Sequence, residues 1–163
     1  MNADRPFLTA NANDQLAIEL AALRRRIEQL ESRAVTASAR GTYTPTYLGG
    51  TTPGVTTYAY QVGSWQRVGA WIQVVAALSW TAATGTGQAL ISLPFPSANI
   101  TYLTQSLTIY TIGVTFAASG VQVAISPNTS VCVLNSPTSN GGSSLIQVEA
   151  AGTVIVGGSY LAQ

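Results

Sequence analysis

The sequence predicts a mainly β protein: an N-terminal arm and a short parallel coiled-coil helix, followed by an antiparallel, jelly-roll-like β-sandwich knob. Three observations carry this. Apolar residues recur every three to four positions between Asn13 and Ala34; beyond Gly41 the apolar period becomes two; and the later stretch is punctuated by glycine- and proline-containing turns.

Taken in order, residues 1–11, Met-Asn-Ala-Asp-Arg-Pro-Phe-Leu-Thr-Ala-Asn, have no periodicity and read as an attachment arm. Phe7 and Leu8 after Pro6 give it an apolar hook, a segment able to order on a partner.

Residues 12–35 form the expected helix. Asn11 or Asn13 is the expected cap, and Asp14 then sits in the first turn, where the helix dipole favours a negative charge. Leu16, Leu20, Leu23, Ile27 and Leu30 make a heptad seam, with Leu20, Ile27 and Ala34 at a and Leu16, Leu23 and Leu30 at d. That places Glu19 and Arg26 at g, Arg24 and Glu31 at e. In a parallel coiled coil each g residue faces the e residue five places on in the neighbouring helix. Glu19 then faces Arg24, and Arg26 faces Glu31, so both charged pairs are complementary in an in-register homo-oligomer. Each such pair contributes only about 0.3–0.5 kcal/mol, so the charges specify the partner more than they stabilise it. Three heptads alone are marginal in water, and the domains that follow are expected to help hold the helices together.

Residues 36–41 read as a linker and 42–163 as the knob. Ile72, Val74, Ala76, Leu78 and Trp80 alternate with Trp71, Gln73, Val75, Ala77 and Ser79, and Val121, Val123 and Ile125 alternate with Gln122, Ala124 and Ser126. Turn signals fall at Gly49-Gly50, Pro53-Gly54, Gly85-Thr86-Gly87, Ser119-Gly120, Pro127-Asn128, Asn140-Gly141-Gly142 and Gly152. Between Leu107 and Phe116 the apolar phase slips, and a bulge or break near Tyr110-Thr111 is the expected repair. Eight to ten strands are expected.

Only 8% of the residues are charged, and there is no histidine and no lysine. After Gly41 the only charged residues are Arg67 and Glu149. General acid–base catalysis, serine and cysteine triads, carboxylate pairs for glycoside cleavage, and zinc or calcium sites all lack the side chains they need there. No enzyme activity, no cofactor and no metal are expected. A net charge of +1 gives no basic surface for nucleic acid. No segment reads as a membrane span or a secretory signal, so neither a membrane nor an export route is expected. Cys132, the lone cysteine, lies between Val131 and Val133 and reads as a buried strand thiol. Tyr58, Tyr60, Trp65 and Trp71 would suit sugar stacking if exposed, and core packing if not.

The stretch Gly41-Thr-Tyr-Thr-Pro-Thr-Tyr-Leu-Gly-Gly-Thr-Thr, then Tyr58-Ala-Tyr-Gln-Val-Gly-Ser-Trp-Gln-Arg-Val-Gly and Leu78-Ser-Trp-Thr-Ala-Ala-Thr-Gly-Thr-Gly, resembles a module of tailed-bacteriophage virion proteins. The similarity continues through Ile91-Ser-Leu-Pro-Phe and Gly157-Gly-Ser-Tyr-Leu. Members include head decoration proteins, head fibres and tail-fibre tips. The resemblance implies a homotrimer with an N-terminal attachment region and a C-terminal β-knob, made in the host cytoplasm and carried on the virion surface. Because the N-terminal part is short, the expected role is a capsid decoration or cement protein held to the major capsid protein, or another virion protein, by its arm. A tail-fibre or head-fibre tip that binds a host-surface receptor or glycan is the alternative, and an adhesin-like lectin ranks below it.

Overall fold

The structure is a computed structural model. It describes the backbone of residues 7–36, 38–114, 120–138 and 140–163, and the side chains of these except residues 7–11 and 33–36. The chain divides into two compact units, Met1–Ser38 and Ala39–Gln163.

The first unit is one helix, α1 (Phe7–Thr36). It starts earlier than the boundary near residue 12 expected above. Nothing between Phe7 and Asn13 breaks a helix, and Leu8, Ala10 and Ala12 favour one. The backbone of Phe7–Asn11 is therefore helical, Asn11 and Asn13 lie inside the helix, and the first turn carries no acidic residue. At 1.5 Å per residue the helix is roughly 45 Å long. The expected linker is shorter too, because strand β1 already begins at Ser38.

The second unit is built from β1 (Ser38–Tyr43), β2 (Tyr47–Gly49), β3 (Thr56–Val68), β4 (Trp71–Ala83), β5 (Ala89–Ser92), β6 (Gln105–Ile112), β7 (Gln122–Ile125), β8 (Val131–Pro137), β9 (Ser143–Leu145) and β10 (Gly152–Leu161). Every register resolved between them is antiparallel. The strands follow one path, β1-β3-β4-β10-β6-β7-β8-β5-β2, with β9 alongside β8. The mainly β, antiparallel character matches the sequence reading. The architecture, however, is a single sheet curled on itself, where a sandwich of two jelly-roll-like sheets was expected.

β6 is the corner of this curl. Its Thr108–Ile112 segment pairs with β10, and its Gln105–Leu107 segment pairs with β7. A strand that turns away from its neighbour leaves that neighbour's amide and carbonyl without partners, at a cost if they are buried. Here Gln105 Oε1 accepts from the Leu161 amide at 2.6 Å, and the Leu161 carbonyl accepts from Gln105 Nε2 at 3.1 Å and from the Ala98 amide at 2.8 Å.

The core lies inside the curl. Ile72, Val74, Ala76, Leu78 and Trp80 are buried as their alternation requires, beside Val154, Val156 and Tyr160 of the neighbouring β10 and in one core cluster with Ile91, Val123, Ile125, Cys132 and Leu134 from the other half. Tyr47 stacks on Trp80 with ring centroids 4.0 Å apart. The two clamp the backbone of Glu149, whose amide donates to the Tyr47 hydroxyl at 2.9 Å and whose carbonyl accepts from Trp80 Nε1 at 3.0 Å. Gly152, read above as a turn, opens β10, and a Cβ there would stand 3.0 Å from the Trp80 ring.

Of the bulge or break expected near Tyr110-Thr111, it is the break that occurs: β6 alternates in one phase and ends at Ile112. The slip in apolar phase is absorbed by leaving Ile112 exposed and turning the chain at Gly113, with φ of 69°, so that Val114 can be buried. The irregularity in this half of the sheet lies in β3, between Thr57 and Tyr60.

Candidate functional site

The two charged residues that follow Gly41 in the sequence serve the fold, Arg67 through its side chain and Glu149 through its backbone. Arg67 donates from Nε to the Gly69 carbonyl at 2.8 Å and from a terminal nitrogen to the Gln163 carbonyl at 2.7 Å, tying the chain end to the β3–β4 hairpin. Its guanidinium also stands 5.7 Å from the centroid of the Phe95 ring. Glu149 enters the core clamp through its backbone. Among the described residues no three histidine, cysteine, aspartate or glutamate side chains gather. No described helix is long and apolar enough to cross a membrane.

Cys132 is buried, and desolvation pushes its thiol up to about 12, which removes the nucleophilic thiolate at neutral pH. Burial likewise raises Tyr160 to about 12, its hydroxyl donating to the Phe95 carbonyl at 2.8 Å and accepting from the Phe95 amide at 3.3 Å. Tyr43 is raised as well, and its buried hydroxyl has no hydrogen-bond partner among the described residues.

What remains are surfaces. On α1, Leu16, Leu20, Leu23, Ile27 and Leu30 are between 49% and 64% exposed in the single chain, so the heptad positions form an apolar stripe open to solvent. Glu19, Arg24, Arg26 and Glu31 are exposed with them. The attachment residues Phe7 and Leu8 lie on the helical backbone, but their side chains fall outside the described residues.

The second surface is the outward side of the half-sheet β3, β4, β10 and β6. Its register aligns Val62 with Ala77, Ala77 with Ile155, and Ile155 with Tyr110. The row above it aligns Tyr60, Ser79, Thr153 and Ile112. Tyr60, Val62, Val75, Tyr110, Ile112 and Ile155 are all exposed. Toward β1 lies a groove of about 660 Å³ of mixed character, lined by Arg40, Thr42, Ser64, Trp65, Gln66 and Val75 among others.

Of the four aromatic residues weighed for sugar stacking, Tyr58 and Trp65 are half-buried. Tyr58 accepts from the Tyr47 amide at 2.6 Å, and Trp65 packs edge-on against Phe95 with centroids 4.7 Å apart. Tyr60 and Trp71 stay exposed. The sequence reading also passed over Tyr102, which is 97% exposed at a loop tip with φ of 64°, a conformation uncommon for a bulky residue.

No family model matches the chain, and no curated protein matches it. Among solved structures it is similar in fold to the Dettilon tailspike protein (gp208), with a TM-score of 0.62 and 14% sequence identity. The match covers 77% of this chain and 24% of the tailspike, so the chain spans about a quarter of that protein's length.

Proposed function

We propose that the chain is a non-enzymatic structural protein of a phage virion surface. Copies associate as a parallel homotrimer through Leu16, Leu20, Leu23, Ile27 and Leu30, and Glu19, Arg24, Arg26 and Glu31 set the register. Residues 1–11 hold the assembly to the major capsid protein or another virion protein, and the β-domain is displayed. The observation that carries this reading is the solvent-open heptad stripe joined to a β-domain that holds only three charged residues, Arg40, Arg67 and Glu149, with Arg67 bound to the Gln163 carbonyl. The role that fits best is capsid decoration or cement.

The fold likeness to a tailspike favours a second reading, a fibre tip that meets a host-surface receptor or glycan. Imaging of particles with a gold-labelled antibody against the β-domain separates the two. Label over the head supports decoration and label at the tail supports the tip. A particle population with no label on either overturns the virion-surface proposal itself.

A further inference from the structure

We infer that the outward face of the half-sheet β3-β4-β10-β6 is the surface through which the β-domains of neighbouring copies meet. This rests on the parallel self-association proposed above. An antiparallel sheet with one buried face ordinarily turns polar residues outward. Here the cross-strand row Val62–Ala77–Ile155–Tyr110 is apolar from edge to edge, with Tyr60 and Ile112 ending the next row. No charged residue occupies either row, whereas edge strands and exposed sheets usually carry charge against unwanted association. The pattern is local, since none of the exposed large apolar residues lies on β2, β5, β7 or β8.

The occupant that fits is a second copy of this chain. The Glu19–Arg24 and Arg26–Glu31 pairs on α1 complement one another only when an identical helix lies parallel and in register. Rotational symmetry then brings identical domains together in equivalent positions. Tethering raises the effective concentration of one face near another to the order of millimolar, where a modest apolar contact closes. A saccharide would find on the central row a single polar group, the Tyr110 hydroxyl, and a charged protein would find no counter-charge.

The test uses the full chain. Val62→Cys places a thiol on the central row, and Asn99→Cys places one on an exposed loop away from it; the native Cys132 is buried. The expected result is an oligomer in which maleimide modifies the Val62→Cys thiol at least tenfold more slowly than the Asn99→Cys thiol. Loosening the stalk with Leu23→Asp and Ile27→Asp should leave a concentration-dependent association, which adding Ile155→Asp abolishes. An oligomer whose Val62→Cys thiol reacts as fast as Asn99→Cys overturns the assignment of this face and leaves the helical seam standing. A wild-type chain that sediments as a monomer overturns the parallel association and this face with it.

Discussion

The side-chain carboxamide of Gln105 holds both backbone polar groups of Leu161, standing in for a ladder residue where β6 leaves β10 for β7. At this corner β6 passes from one half of the sheet to the other, its Thr108–Ile112 segment pairing with β10 and its Gln105–Leu107 segment with β7. Replacing Gln105 by Leu keeps the bulk but leaves the Leu161 amide without its partner, while the Leu161 carbonyl still accepts from the Ala98 amide at 2.8 Å. At about 1–3 kcal/mol for each buried group left without a partner, the variant should lose on the order of 2 kcal/mol, read as a lowered urea midpoint. An unchanged midpoint would show that water or a shifted strand replaces the bonds.

Tyr43 and Tyr160 make a matched pair with opposite expectations. The Tyr43 hydroxyl is buried with no partner among the described residues, so Tyr43→Phe removes a desolvated polar group and should be neutral or stabilising by up to about 1 kcal/mol. The Tyr160 hydroxyl bridges the amide and carbonyl of Phe95, and Tyr160→Phe should cost about 1–2 kcal/mol. Thermal melts of the two variants beside the wild type decide it. Equal losses in both would place an undetected partner on Tyr43.

These tyrosines and Cys132 also set the response to alkali. Burial raises Cys132 from 9.0 to about 12 and Tyr160 from 10.0 to about 12, so the folded state keeps protons that the unfolded chain has released. Stability from this source is full below about pH 9 and falls as the pH rises toward 12. Urea titrations at about pH 8 and pH 11 should show a loss on the order of 2–4 kcal/mol. Cys132→Val should flatten part of that slope, and an equal slope in the variant would remove the thiol from the account.

Glu149 and Tyr102 bear on the display role. Glu149 works through its backbone, so Glu149→Gln should leave the thermal midpoint within about 0.5 kcal/mol of wild type. A larger loss would show that the carboxylate itself holds the clamp. Tyr102 adopts a left-handed backbone at a fully exposed tip, and Tyr102→Gly should raise stability by about 0.5–1 kcal/mol. A loss there would mean that the tyrosine ring packs in solution.

The strand alternation from Trp71 to Trp80 was legible because one face is buried and the other is not, which stamps a period of two on the sequence. The helix was legible from its apolar recurrence at the helical period, and α1 carries those residues on a solvent-exposed stripe. The curl was not. Its corner lies beside Gln105, whose polar side chain looks like any surface residue until its partner Leu161 is known, 56 positions away. Nor could the sequence show that Val62, Ala77, Ile155 and Tyr110 form one row, since that needs the registers of three strand pairs. Of the bulge or break expected near Tyr110-Thr111 the break is found, at Ile112-Gly113, and Ile112 faces outward where the phase had placed it in the core. On this sheet some apolar residues face outward.

The central claim, that an exposed heptad stripe gathers identical chains in parallel, is tested most directly by the mass of the full-length protein in solution. Light scattering at micromolar concentration should give three times the chain mass of 16.9 kDa, and Leu23→Asp with Ile27→Asp should make that mass depend on concentration. A wild-type mass of 16.9 kDa across the same range would contradict it.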